Sequence, residues 1–197
     1  MTRNDNNPRL RQDVELQPAI AMIELSCIVR GIEVTDAVLW QADVQLLFAE
    51  PIQPGKYVLL FTGSVQALNS ALDRGTEIAG ESLTDRMLIQ QVHEQVPLGL
   101  SRSGKINGTL DALGVVETST VASGILAADA ALKTAAVDLL ELRVGNGLGG
   151  KSFFTLTGEV SDVRSAVQAG AQSAAAGGRL LRDVVIPRPH SDLVRHL

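Results

Sequence analysis

Short apolar runs and segments with helical spacing alternate along this chain in one repeated order. Runs that predict strands lie at 19–25, 44–48, 57–61, 87–89, 112–118, 139–144, 152–156 and 184–186. Segments whose apolar residues recur at helical spacing follow the first run of each half, and two more lie at 65–79 and 160–176. The order strand, helix, strand, strand, helix, strand is therefore predicted twice.

The two halves also repeat one sequence. Residues 23–47 align with 116–140 without a gap, with about eleven identities in roughly 25 positions, which is too many for unrelated amphipathic segments. The identical pairs include Glu24 with Glu117, Ser26 with Ser119, Gly31 with Gly124 and Asp36 with Asp129. Further along, Thr62-Gly63 matches Thr157-Gly158, and His93 falls near the position of His190.

The repeat predicts an α+β protein of two tandem β-α-β-β-α-β domains, each a ferredoxin-like sandwich of helices on a sheet. We expect the first domain at 18–97 and the second at 109–193. The stretch 97–108 is rich in Gly, Ser, Pro and charge, so it predicts a linker. Residues 1–17 are polar and predict a flexible N-terminal extension.

Composition excludes several classes of protein. The formal net charge is −5 and aromatic residues make up 3% of the chain, so the basic, stacking surface of a nucleic-acid-binding protein is not expected. No apolar run approaches the roughly 20 residues that span a bilayer, and we expect a cytoplasmic protein. Cys27 is the only cysteine, which excludes an intrachain disulfide, and we predict that it is a small buried residue.

Five segments of the second half carry a resemblance to a known family. Asp111–Thr118, Ala128–Lys133, Val144–Leu148, Thr157–Val160 and Val185–His190 resemble, in order and spacing, the bacterial microcompartment shell domain. The first half is a more divergent copy. The whole of residues 18–193 is similar to the tandem-domain class, which includes the trimer-forming shell proteins of propanediol-utilisation compartments.

The resemblance implies a structural shell protein rather than an enzyme. Three chains, hence six domains, would form a homotrimeric disc of hexagonal outline, a pseudohexamer, located in a microcompartment shell. Its implied partners are hexameric and pentameric shell proteins, encapsulated enzymes, and small polar metabolites that pass through a central pore. Neither nucleic acid nor a membrane is an implied partner.

The resemblance also implies site residues. The pore loops would contain Ile52, Gln53, Pro54, Gly145, Asn146 and Gly147. The edge between neighbouring discs would contain Lys133, Arg188 and Trp40. Trp40 stands where the second domain has Lys133, and both an exposed contact Trp and a buried Trp fit that position.

The loop at Gln53 departs from the pattern of the relatives. In the propanediol-type relatives, a cysteine at the matching position binds an iron–sulfur cluster on the axis. An amide cannot replace a thiolate ligand, so no cofactor and no metal site are predicted. Three Gln53 side chains would instead give a neutral, hydrogen-bonding constriction.

The loop Gly145–Ser152 matches two phosphate-binding patterns, G-x-x-x-x-G-K-[ST] and G-x-G-x-x-G. Both patterns need a helix directly after the loop, because its free N–H groups hold the phosphate. Here an aromatic and β-branched strand is predicted instead, at 153–158. A shell loop is favoured over a nucleotide site, and an enzyme that uses this loop is the third hypothesis.

The remaining candidates have structural interpretations. His93, His190 and His196 are the only histidines, and we expect solvated or helix-capping side chains rather than a metal site. Glu24 and Glu117 hold matching positions of the repeat, which favours hydrogen bonding within the fold over catalysis. A discrete trimeric metabolite-binding or regulatory module, not built into a shell, is the alternative to the shell role.

Overall fold

The computed structural model describes residues 8, 10–11, 13–14, 17–101 and 110–196. They fall into two compact units. One holds Pro8–Val92 with Gly145–Gly150, and the other holds His93–Val144 with Lys151–Leu197. These are named the N-terminal unit and the C-terminal unit.

The N-terminal unit is a four-stranded antiparallel sheet with two helices. Its elements are β1 (Ile20–Leu25), α1 (Ile28–Gln41), β2 (Val44–Ile52), β3 (Lys56–Gly63), α2 (Val65–Ala79) and β4 (Leu83–Ile89). The strand order is β2-β3-β1-β4, with every pair antiparallel. The two helices pack on each other and on the sheet, and Ile23, Val38 and Phe61 belong to the core between them. This is the predicted ferredoxin-like arrangement.

The C-terminal unit repeats the same fold and adds a short helix at each end. Its elements are α3 (Gln95–Ser101), β5 (Ala112–Thr118), α4 (Val121–Thr134), β6 (Asp138–Val144), β7 (Ser152–Gly158), α5 (Val160–Ala176), β8 (Leu180–Pro187) and α6 (Ser191–Val194). The strand order β6-β7-β5-β8 is equivalent to that of the first sheet. Each sheet has a register shift at the same place, in β2 near Leu47 and in β6 near Leu140.

Matching glycines bring the first helix of each repeat close to the third strand. A Cβ atom on Gly31 would lie 2.3 Å from the ring of Tyr57, and one on Gly124 would lie 2.2 Å from Ser152 Oγ. Carbon atoms in contact are normally about 3.5–4.0 Å apart. Only glycine therefore allows this approach, which explains the identity of the two positions in the repeat.

Local signals account for the bounds of α2. The Ser64 hydroxyl accepts a hydrogen bond from the Ala67 backbone N–H at 3.2 Å, which caps the first turn. After Ala79 the chain turns at Gly80, whose φ of 52° lies in the left-handed region that glycine tolerates. The predicted bounds of this helix and of α5 are confirmed to the residue.

Three expectations differ from the structure. The predicted linker is wrong at 97–101, because this stretch belongs to α3, where Gly99 and Leu100 are buried; residues 102–108 lie outside the described residues. The strands β4 and β8 begin earlier than predicted, since polar residues are tolerated on these edge strands. Cys27 is exposed rather than buried, because it lies in the junction between β1 and α1, outside the core.

Most of the predicted flexible extension, residues 1–17, lies outside the described residues. Of the described part, the Arg11 backbone N–H donates to the Leu47 carbonyl at 2.8 Å, and the Gln17 N–H donates to Thr62 Oγ1 at 3.1 Å. Pro8 is buried. These residues therefore pack within the N-terminal unit. The predicted domain bounds 18–97 and 109–193 stay predictions.

Candidate functional site

Two hairpin loops occupy the same place in the repeats, between the second and third strands. In the first loop, Gln53 and Pro54 are exposed, and the peptide bond that joins them is cis. The second loop, Gly145–Gly150, has positive φ angles at Gly145, Gly147, Gly149 and Gly150. Only glycine adopts such angles at little energetic expense. The glycine content of this loop is thus explained by its backbone.

The lysine and serine of the phosphate-like pattern are engaged within the fold. Lys151 forms an ion pair with Glu117, with Nζ 3.0 Å from Oε1, and the Ser152 hydroxyl donates to the Arg143 carbonyl at 2.7 Å. The loop leads directly into β7 rather than into a helix whose free N–H groups could hold phosphate. The strand predicted after the loop is therefore confirmed.

The predicted pore residues divide into a buried group and an exposed group. Ile52 is only 3% exposed, and a Cβ atom on Gly145 would lie 2.5 Å from Ile52 Cδ1. Gln53, Pro54 and Gly147 are exposed, and Asn146 is half-buried. The Ile52 side chain packs beneath the glycine loop, whereas Gln53 is free to meet solvent or another chain.

An acid–lysine pair stands at the base of each loop. Glu24 is fully buried, with its Oε1 2.7 Å from Lys56 Nζ, and Lys56 also donates to the Gly150 carbonyl at 3.1 Å. The counterparts Glu117 and Lys151 are both about half exposed. Each pair links the first strand of its repeat to the start of the third. The prediction that the two glutamates serve the fold is confirmed.

Lys133 and Arg188 lie at one end of the C-terminal sheet. Lys133 is exposed in the last turn of α4 and forms an ion pair with Asp129. In the sheet, Thr157 of β7 pairs with Asp138 at the start of β6 and with Leu113 of β5. Leu113 pairs in turn with Ile186 near the end of β8. The start of β6 and the end of β8 therefore lie at the same end of the sheet. Arg188 is exposed, with a φ of 47°, and its N–H donates to the Asp111 carbonyl at 2.7 Å. Their role at an edge stays a prediction.

Trp40 is 85% exposed, which decides between the two interpretations of this residue. It lies near the end of α1, next to an apolar surface of the same helix that we name the α1 face. This face consists of Ile28, Val29, Ile32 and Leu39, all of them exposed. A soluble protein rarely exposes a contiguous apolar surface unless something covers it. This face was not predicted from the sequence, although the apolar residues of α1 lie around more of the helix than one buried stripe requires.

The equivalent helix of the second repeat has no such surface. The counterparts of the α1 face on α4 are all buried: Val121, Ala122, Ile125 and Leu132. The contrast is largest at one matched pair, where Ile32 is 58% exposed and Ile125 is fully buried. Equivalent positions of one fold therefore have opposite environments.

At the end of each repeat the contrast is reversed, because here apolar residues of the second repeat are exposed and their counterparts in the first are buried. Val184 on β8 is 41% exposed, whereas its counterpart Met87 on β4 is 3% exposed. Leu193 on α6 is 40% exposed, whereas its counterpart Val96 on α3 is fully buried. We name Leu181, Val184 and Leu193 the tail residues, since all three are exposed near the end of the second repeat. The chain thus exposes apolar residues at the start of one repeat and at the end of the other.

The histidines that follow the last strands act as helix caps. His93 Nδ1 accepts from the Gln95 N–H at 3.3 Å, and His190 Nδ1 accepts from the Asp192 N–H at 3.2 Å. His196 is exposed. The capping prediction is confirmed for the first two. Among the described residues, no group of three or more His, Cys, Asp or Glu side chains is arranged to hold a metal ion.

One carboxyl group has a perturbed acidity. Burial raises the pKa of Glu141 above its usual value, and the cation of Arg143 opposes that shift, with Nε 3.6 Å from Glu141 Oε1. Glu141 lies on β6 beside the register shift, where the first repeat has the buried Phe48.

In the described part of the chain, no helix is long and apolar enough to cross a membrane.

Comparisons with known proteins agree on one family. The BMC domain matches residues 19–92 and again 112–189. The bacterial microcompartment shell protein PduT of Citrobacter freundii is 38% identical over 182 residues, which cover 92% of this chain and 98% of that protein. The shell protein PduA of the same organism is 40% identical over 88 residues, 44% of this chain and 91% of PduA.

A solved structure gives the same result. A microcompartment protein from Desulfitobacterium hafniense superposes with a TM-score of 0.76 at 46% sequence identity, covering 90% of this chain and 98% of that one. PduT and PduA are both bacterial microcompartment shell proteins. They support the shell role over the alternative of a discrete regulatory module.

Proposed function

The chain belongs to the BMC domain family and is a shell protein of a bacterial microcompartment, and we propose that three copies form one pseudohexagonal tile. The tile takes its place in the shell beside hexameric and pentameric shell proteins. A tile needs no catalytic group, and we propose none for this chain.

The contrast between α1 and α4 carries the trimer proposal. Ile28, Val29, Ile32 and Leu39 are exposed on a single chain, but each has a buried apolar counterpart on α4. Burying such side chains stabilises an assembly by about 25 cal/mol for each Å² removed from water. The surface is suited to another copy of the chain, which would give the first repeat the environment that the second already has.

The tail residues supply the complementary surface. A contact between two different surfaces of identical chains is called heterologous. Such contacts close into a ring only if the rotation from one chain to the next is a whole fraction of a full turn. With two similar domains in each chain, three copies place six domains around the axis with a near-sixfold outline. The α1 face of each chain then meets the tail residues of the next.

The exposed loop residues are suited to the lining of a central pore. Gln53 offers an amide that both donates and accepts, and three copies around an axis would present a neutral polar ring. Such a ring favours small polar metabolites over ions. Ile52 and Gly145 support this ring from beneath, since the isoleucine is buried under the glycine.

A cysteine substitution tests the axial position of Gln53. Three thiols that converge on an axis bind a soft metal or an iron–sulfur cluster, whereas three distant thiols do not. With Cys27→Ser to remove background, Gln53→Cys should take up one cluster per trimer after anaerobic reconstitution. A folded trimer that takes up no iron would contradict the pore assignment and leave the tile proposal in place.

Electron microscopy of the purified protein tests the tile itself. We expect flat hexagonal sheets, or incorporation into polyhedral shells when the protein is produced together with hexameric shell proteins. Lys133, Arg188 and Trp40 are the proposed contacts between discs. Discrete particles that neither form sheets nor enter shells would contradict the tile proposal.

A further inference from the structure

The short helices α3 and α6 are counterparts in the repeat. Each follows the last strand of its repeat, and each is preceded by a histidine whose Nδ1 caps the first turn. The sequence from His93 to Leu98 therefore aligns with the sequence from His190 to Arg195. Because the two helices are equivalent, α6 could make the same kind of contact that α3 makes.

Within the C-terminal unit, α3 is docked on α4 and β6. The His93 N–H donates to Asp129 Oδ1 at 2.8 Å. The Gln95 side chain accepts from the Leu139 N–H at 2.7 Å and donates to the Val137 carbonyl at 3.3 Å. Val96 is buried, and a Cβ atom on Gly99 would lie 2.5 Å from Leu139 Cδ2. The segment is thus held by three hydrogen bonds and close packing.

The N-terminal unit has the same docking site, and among its described residues no helix equivalent to α3 covers that site. Its counterpart of Asp129 is Asp36, in the middle of α1, and its counterparts of Val137 and Leu139 are Val44 and Leu46 on β2. Asp36 is exposed, whereas Asp129 is buried. Leu193 of α6 is exposed, whereas Val96 of α3 is buried. A docking site on α1 and β2 and a helix that resembles α3 are therefore both exposed on a single chain.

We propose that α6 of each chain docks on α1 and β2 of the neighbouring copy, in the way that α3 docks on α4 and β6. The His190 N–H donates to the Asp36 carboxylate of that copy, and Leu193 is buried against it. This inference rests on the proposed trimer and names the segment that joins one chain to the next. Each of the three interfaces of the ring would carry one such contact.

The proposed contact has fewer hydrogen bonds than the internal one. Asp192 stands where α3 has Gln95, so its carboxylate accepts from the Leu46 N–H but has no N–H of its own to donate to the Val44 carbonyl. Asp192 also pairs with Arg195 at 2.8 Å. The Arg11 N–H bonds the Leu47 carbonyl, a different group on β2, so that bond does not compete.

Disulfide formation between engineered cysteines tests the contact directly. In a Cys27→Ser chain, His190→Cys is combined with Asp36→Cys. The matched control is His93→Cys with Asp129→Cys, whose parent residues touch within one chain. A backbone-to-carboxylate contact of this kind is compatible with the Cα separation of about 4.4–6.8 Å that a disulfide needs. Oxidised samples are compared by denaturing electrophoresis without reductant and by native mass.

The two pairs should behave differently. The first pair should give covalent dimers and trimers, and the control should keep the mass of one chain while both thiols disappear. Chains with His190→Cys alone, produced together with chains carrying Asp36→Cys alone, should stop at dimers. A trimer in which the control pair oxidises but the first pair forms no bond between chains would overturn the proposal. A parent protein that is monomeric would overturn the trimer as well.

A second variant avoids the loss of the Asp36 carboxylate. Leu193→Asp should raise the trimer dissociation constant by about tenfold or more, because a charge replaces an apolar anchor. Leu98→Asp is the matched control, since Leu98 is a similarly exposed leucine on α3. The control should change the constant by less than about threefold. Equal effects of the two variants would overturn the role of α6.

Discussion

The first helices of the two repeats occupy equivalent positions of one fold, yet only one of them is covered. At Ile28, Ile32 and Leu39 the first repeat keeps apolar residues where the second has the buried Val121, Ile125 and Leu132. An exposed surface under no packing constraint would be free to accept polar residues. Their apolar character indicates that the α1 face is buried in the working protein.

The same comparison explains why each repeat is incomplete in a different way. The first repeat exposes its starting helix, and the second exposes its final strand and helix, at Val184 and Leu193. Two unlike apolar surfaces on one chain suit repeated head-to-tail contact rather than a two-fold dimer, whose interface would use one surface twice. Variants at matched positions test this difference between the repeats.

The largest difference is expected between Ile125→Asp and Ile32→Asp. Ile125 is fully buried, so the aspartate there should destabilise the folded chain by about 4 kcal/mol or more. Ile32→Asp should leave a folded monomer, because the side chain meets solvent in a single chain. Chemical denaturation of dilute samples and light scattering measure the two effects. If both variants unfolded, or if Ile32→Asp still formed trimers, the different roles assigned to these two positions would be contradicted.

The acid–lysine pairs give the next largest difference. Lys56→Met removes the cation beside the buried Glu24 carboxylate and should lower the free energy of unfolding by about 3 kcal/mol or more. Lys151→Met acts on the half-exposed pair with Glu117 and should lower it by less than about 1 kcal/mol. Urea denaturation compares the two variants, and similar losses would contradict the assigned environments.

Sequence reasoning reached the fold because the repeat and the periodicities report local structure. The helices 65–79 and 160–176 were predicted with the observed bounds, since apolar spacing is interrupted at Ser64 and near Gly177. The predicted membership of the microcompartment shell family is also confirmed, because its motifs fall at close spacing in the second half.

Other features depend on what covers a residue, which periodicity does not report. Cys27 has the apolar character of a core residue but lies in an exposed junction. Gly99 and Leu100 fell within the predicted linker, yet they are buried in α3. Each error concerns a tertiary contact between segments distant in sequence.

The edge positions should show a smaller effect. Lys133→Gln should raise the protein concentration needed for sheets by about three- to tenfold and leave the trimer intact, because a single exposed contact contributes about 1 kcal/mol. Glutamine is preferred to aspartate, since Lys133 pairs with Asp129. Trp40→Gln is the matched change in the first repeat. Sheets that form as readily as in the parent would contradict both edge assignments.

The smallest effect is expected from Glu141→Gln. Burial raises the pKa of Glu141, so the folded protein holds this proton more strongly than the unfolded chain does. The charged form is therefore destabilising, and stability falls as pH rises through the folded pKa. At neutral pH the variant should be slightly more stable, with a weaker pH dependence in mildly acidic solution. A loss of stability at pH 7 would show that the pair with Arg143 matters more.

The native mass of the purified protein shows whether three copies assemble. We expect a particle of three times the chain mass of 20.9 kDa that persists on dilution to low micromolar concentration, because three α1 faces are buried. Ile32→Asp in the same instrument should give the mass of one chain. A parent protein that is folded and monomeric at these concentrations would contradict the proposed trimer, since its α1 face would then remain exposed.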